Sequence, residues 1–139
     1  MQIIVAVNFW AVLVAAVASM VVGSIWYGPL FGKKFMEVMG FNSMSEAEKA
    51  EMKKEMAKTY IIQFTASLVM FYVLAWLMGA LNQMSAVGGV QAAFWIWLGF
   101  IVPVKLGDAI WGGKMSLLWL GIGNMLVTLI VGGMIIGAW

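Results

Sequence analysis

Lys105 and Asp108, three residues apart, are the one compact acid–base pair in a chain otherwise poor in reactive groups. The chain has no His and no Cys. That removes the usual proton shuttle, the commonest metal ligand, the usual haem ligand, disulfides and thiolate chemistry. Acid–base work is left to eight Lys, six carboxylates and three Tyr. Five of the carboxylates (Glu37, Glu46, Glu48, Glu51 and Glu55) crowd into one charged stretch. A single dyad is thin support for catalysis, and the expectation is a non-enzymatic protein with no metal and no cofactor. The 13 Met include Met36/Met39 and Met52/Met56, whose spacing could present thioethers to Cu(I). Met is also a flexible filler of apolar packing, and here Met is spread along the whole chain.

Three amides form the second chemical feature. Asn8, Gln63 and Asn124 lie inside apolar runs. A buried amide needs a hydrogen-bond partner. Asn8 and Asn124 are expected to bond neighbouring helices, and Gln63 to face the interior. With Lys105 and Asp108 they are the candidate residues of a polar pathway.

These groups are carried by four apolar runs, Ile3–Gly28, Tyr60–Leu81, Val87–Val104 and Met115–Trp139. A helix needs about 20 apolar residues to cross ~30 Å of hydrocarbon. Composition agrees: 64% of residues are hydrophobic and 10% charged, against about 45–50% and about 25% in soluble domains. The expected fold is all-α, a four-helix transmembrane bundle forming one domain over residues 1–139, with spans near 3–28, 60–81, 87–104 and 115–139. Ala16-Val17-Ala18 imitates a signal-peptide cleavage site. No cation precedes it and the apolar run continues through Trp26, so the first run is expected to be a retained span.

All eight Lys fall in two of the gaps between runs. Lys33, Lys34, Lys49, Lys53, Lys54 and Lys58 lie in the first gap, Lys105 and Lys114 in the third. Cations stay on the cytoplasmic side during insertion. The expected topology is therefore N-out and C-out, with residues 29–59 cytoplasmic. The net charge of +2 is too small to suggest nucleic acid. Juxtamembrane Lys instead attract anionic lipid, by about 1 kcal/mol each.

Within the cytoplasmic segment, Leu30–Phe41 sets Phe31, Phe35, Val38 and Met39 opposite Lys33, Lys34 and Glu37. That pattern predicts a short helix lying on the inner leaflet, stopped by Gly40. Ser45-Glu46-Ala47-Glu48 is a capping-box pattern. It opens a long helix whose first third projects into the cytoplasm, with Glu46/Lys49, Glu51/Lys54 and Glu55/Lys58 spaced to pair. Asn82–Ser85 predicts a tight turn on the outer side.

Pro103 decides the meaning of the acid–base pair. If the third span ends near Val104, Lys105 and Asp108 stand at the head groups and serve topology. If it continues to Trp111, they lie within about two turns of the interface and pair with each other. Small residues mark packing faces: Ala11, Ala15, Ser19 and Gly23 at spacing four, and Gly133/Gly137 as a GxxxG pair. These faces suit helix packing or association of protomers.

The string Asn8–Ala16 and the segment Gly23-Ser24-Ile25-Trp26-Tyr27-Gly28-Pro29-Leu30-Phe31-Gly32-Lys33 resemble the start of a family of small bacterial membrane proteins, the "domain of unknown function 1761" family. Trp97-Leu98-Gly99-Phe100 and the Gly-rich last span fit the same pattern. The resemblance implies a four-span membrane protein and brings no activity or site residue with it. The leading expectation is a transporter or channel-like protein acting as a parallel homo-oligomer on a small molecule or ion. The size is similar to that of the small multidrug transporters, but their acidic residue in the first span has no counterpart here. The alternative is an accessory protein that packs against another membrane complex or organises the lipid bilayer.

Overall fold

The computed structural model describes residues 5–40, 43–113 and 115–139. Ile3 and Ile4 at the expected start of the first span, Phe41 at the end of the expected surface helix, and Lys114 fall outside these residues. Every described element is helical. Helix α1 is Phe9–Ile25 and runs on into a π turn at Trp26–Leu30. Helix α2 is Gly32–Met39 and α3 is Glu46–Ala80. Helix α4, Ala86–Ile96, continues through a second π turn, Trp97–Ile101, into α5, Val102–Gly112. Helix α6 is Met115–Ala138. Four continuous helices are long and apolar enough to cross a membrane: Phe9–Leu30, Glu46–Ala80, Ala86–Gly112 and Met115–Ala138.

The first span starts later than its hydropathy suggested. Asn8 is not buried against a neighbour. It is exposed and caps its own helix, its Oδ1 accepting from Trp10 N at 3.0 Å and from Ala11 N at 3.4 Å. A short side-chain acceptor satisfies otherwise unpaired first-turn donors, so the helix begins there and the amide has no long-range partner to seek. The span also ends later, at Leu30. Pro29 cannot donate, and the i+5 bond from Phe31 N to Trp26 O (3.0 Å) carries the chain past it.

The same device resolves Pro103. The Val102 N–H donates to the Trp97 carbonyl, again i+5, so the helix restarts at Val102. Pro103 then sits in the first turn of α5, where its missing donor costs little. The third span therefore continues to Gly112.

Helix α6 is central: it packs against α1, α3, α4 and α5. Small residues allow this. Ala11, Ala15 and Ala16 are fully buried and Ser19 nearly so. Gly89 and Gly133 meet backbone to backbone where α4 crosses α6, and Gly137 meets the Ser85 carbonyl one turn further on. The packing faces at Ala11, Ala15, Ser19, Gly133 and Gly137 are thus used inside the protomer. Gly23 is the exception, with open space where a Cβ would stand. The core cluster of Ala11, Ala15 and Ala16 also holds Val12, Phe71, Leu74, Ala75, Met78, Ala93, Leu129 and Ile136, and a second one holds Ala109, Leu118 and Ile122.

Helix α3 opens as its sequence predicts, with Ser45 Oγ accepting from Glu48 N at 3.2 Å. Its charged first third is exposed throughout. Among the described residues none of the three spaced Glu/Lys pairs closes to ion-pair distance, as expected for long solvated side chains that gain little from pairing. Ser45→Ala should cost about 1 kcal/mol at this helix start. Because the segment packs on nothing, amide exchange over residues 46–50 should speed up several-fold while Phe64–Gly79 stays equally protected.

Candidate functional site

Lys105, Asp108, Ala109 and Gly112 share one face of α5, at spacings of three and four. Across from them, α6 presents Leu117, Leu118, Leu120 and Gly121. Tyr27 of the first π turn and Phe35 of α2 complete the wall. Together these residues line an open cleft of about 400 Å³. The rim is charged and the floor is apolar.

Tight local geometry holds the cleft's third wall. Gly32 is buried so closely under the Tyr27 carbonyl that a Cβ there would lie 2.9 Å from its oxygen. That contact turns the chain sharply out of the π turn into α2. The Tyr27 and Phe35 rings then pack at 4.8 Å between centroids, and Trp26 and Phe31 at 4.8 Å. Gly40, at φ 74°, ends α2 in the left-handed conformation that glycine adopts without strain.

Two tryptophans fasten the cleft's floor. The Trp26 indole N–H donates to Leu120 O at 3.0 Å, and the Trp97 indole N–H to Ile122 O at 2.7 Å. Each Trp opens one of the two π turns. Both therefore grip α6 at neighbouring carbonyls, on either side of Gly121. The Trp97 ring thus turns inward, toward α6. Each carbonyl is also an acceptor within α6, so losing the indole bond leaves it paired. Trp97→Phe should accordingly lower stability by only about 0.5–1.5 kcal/mol, read as a shift of a few degrees in the detergent-solubilised thermal midpoint.

The structure separates the predicted polar residues. Lys105 and Asp108 come together on the cleft rim. Among the described residues they form no ion pair with each other or with a third group, contrary to the pairing expected for a helix that continues past Pro103. Asn124 lies on the same α6 face as Leu117 and Gly121, one turn deeper (positions i, i+4, i+7). Its Oδ1 is buried and has no hydrogen-bond donor among the described residues. The expected bond to a neighbouring helix is not made. Gln63 is exposed on α3 rather than facing the interior. Ser67, one turn on, is buried but returns its hydroxyl to Gln63 O at 3.0 Å, and Thr65 bonds back to Ile61 O at 2.9 Å. Asn8 is at the far end of α1.

Tyr27, Phe35, Gly112, Gly121, Trp26 and Trp97 belong to this site and were not predicted for it. A Trp a few residues before each proline is the sequence signal for Trp26 and Trp97, and the Leu117/Gly121/Asn124 face is the signal for Gly121; Tyr27, Phe35 and Gly112 carry none. Among the described residues no group of three or more acidic side chains could hold a metal ion.

A second depression, about 370 Å³, is lined by Phe9, Trp10, Val12, Leu13, Leu68 and Tyr72. It is almost wholly apolar, and for a helix pair that faces acyl chains this is ordinary surface. The family described as a protein of unknown function (DUF1761) matches residues 10–137. No curated protein and no solved structure matches the chain.

Proposed function

The chain belongs to the DUF1761 family, and from that premise we propose that it is a non-enzymatic inner-membrane protein that binds an amphiphilic ligand from the cytoplasmic side. The observation that carries this reading is the cleft of Tyr27, Phe35, Lys105, Asp108 and Gly121, charged at its mouth and apolar within. The orientation follows from the Lys distribution. With residues 31–59 and the turn at Gly113 inside, the cleft opens to the cytoplasm and Asn82 faces out.

The accessory role is favoured over a channel. Beyond the cleft, the space between helices is filled by Phe71, Met78, Leu129 and alanines. Buried Ser19 and Ser67 bond their own helix carbonyls, with Ser19 Oγ donating to Ala16 O at 2.6 Å. A filled apolar layer gives an ion or polar solute no partners to replace its hydration.

Transport remains the second reading, and one observation favours it. Asn124 Oδ1 is an acceptor with no donor among the described residues, just below the cleft floor, where a moving solute could meet it. A parallel homo-oligomer, with copies inserted alike by their Lys, would supply the rest of such a path between protomers.

Flux measured on reconstituted vesicles decides between the two. The accessory role predicts flux equal to that of empty vesicles, for wild type and Asn124→Leu alike. Flux above that background, lowered by Asn124→Leu, would reject it in favour of transport.

A further inference from the structure

We propose that the cleft is a site for a phospholipid head group that carries both a phosphodiester and a primary ammonium, taken from the inner leaflet. The proposal deepens the reading above and rests on it.

Depth comes first. The third span runs from Ala86 to Gly112, 27 residues, or ~40 Å at 1.5 Å per residue. About 20 residues cross the hydrocarbon. Counted from the outer end at Ala86, that distance is used up near Lys105. Lys105, Asp108 and Gly112 therefore stand at the level of the head groups, and Leu117, Leu118 and Leu120 at the level of the first acyl carbons. A lipid meets the cleft in its own orientation, polar end at the rim and chain toward the floor.

Charge comes second. Lys105 and Asp108 both line the cleft, and neither neutralises the other. A side-by-side cation and anion, each without an ion-pair partner among the described residues, complement a zwitterion. The Lys105 ammonium meets the phosphodiester oxygens, and the Asp108 carboxylate accepts N–H bonds from the ligand's ammonium. Charge-assisted bonds of this kind are stronger than neutral ones. A quaternary head group has no N–H to give Asp108, and an anionic head group would face the carboxylate unfavourably. The Tyr27 and Phe35 rings are packed on each other, so they do not form the open cage that selects a quaternary ammonium.

The test uses detergent-purified full-length protein and native mass spectrometry with short-chain phosphatidylethanolamine, phosphatidylcholine and phosphatidylglycerol added in turn. Phosphatidylethanolamine should be retained about tenfold better than either of the others. Lys105→Gln and Asp108→Asn should each remove that preference, Lys105→Arg should keep it, and Lys53→Gln on the exposed start of α3 should leave it unchanged. Equal retention of the three lipids overturns the proposal, and this comparison on wild type needs no variant to fold. A preference that survives both Lys105→Gln and Asp108→Asn also overturns it. Competition by soluble phosphoethanolamine at equal concentration would reassign the ligand to a free phospho-amine and reject the lipid. Failure here is distinct from failure of the topology, which is read by side-specific labelling alone. If the labelling holds and the lipids bind alike, only this assignment is lost.

Discussion

Replacing Gly133 by Leu is expected to leave no folded protein. At the α4–α6 crossing the two backbones touch through Gly89 and Gly133, and a Cβ built on either one collides with the other's carbonyl group. No rotamer can relieve this, because the obstacle is main chain. The helices would have to separate by more than a methyl group along a line that also holds Gly137 against Ser85. Between lipid-facing helices, close backbone approach is the main attraction, so separating them removes the contact that defines the fold. Overpacking a core with one methyl group typically costs about 1–3 kcal/mol. Gly133→Ala and Gly89→Ala should each fall at or above the top of that range, and Gly133→Leu well beyond it. The check is the monodisperse fraction after detergent extraction, with Gly121→Ala and Gly99→Ala alongside. These two glycines have open space at the Cβ position, and their alanine variants should behave like wild type or slightly better, since Ala is the better helix former.

Phe71→Ala should be the most damaging single truncation. Phe71 is 0% exposed, and its ring fills the space that a side chain on Gly132 would need. Removing such a ring leaves a cavity and costs about 3–5 kcal/mol in soluble cores. Much of that is lost packing, which applies in a membrane as well. The reciprocal change is informative. Gly132→Ala drives a methyl into the ring and should destabilise by about 1–3 kcal/mol. Combined with Phe71→Leu, which withdraws the ring, its cost should fall markedly, giving the non-additivity expected of touching residues. Thermal midpoints of the two single variants and the double variant measure this. Strict additivity would mean that the ring and the glycine do not meet.

Much of the fold is legible in the sequence because the bilayer imposes a length. Runs of 18 or more apolar residues mark four helices, and Lys accumulates in two of the three connections. The Ser45 N-cap and the turn before Ser85 fall where local chemistry puts them. Boundaries near proline were less legible. Hydropathy sees Pro29 and Pro103 as breaks, whereas each helix inserts one residue in a π turn and continues. The small-residue ridge was visible, but its partner was not: periodicity says that Ala11, Ala15 and Ser19 share a face without saying that α3 and α6 of the same protomer cover it. For the site, Lys105 and Asp108 were found by type and spacing. Their company was not, because Tyr27 and Phe35 stand 70 to 81 residues before the pair in the sequence and meet it only through packing against α6. Asn8 misled for a simple reason. Its depth was counted from Ile3, and the helix starts at Phe9.

The inward-facing cleft depends on a single orientation of the four spans, and that orientation can be measured directly. The chain contains no Cys, so Lys53→Cys and Asn82→Cys each carry one unambiguous thiol. A membrane-impermeant thiol reagent applied to intact cells, with the outer membrane made permeable, should label Asn82→Cys and leave Lys53→Cys unlabelled until the inner membrane is opened. Labelling of both thiols in intact cells, or of Lys53→Cys alone, would contradict the topology and with it the placement of the cleft.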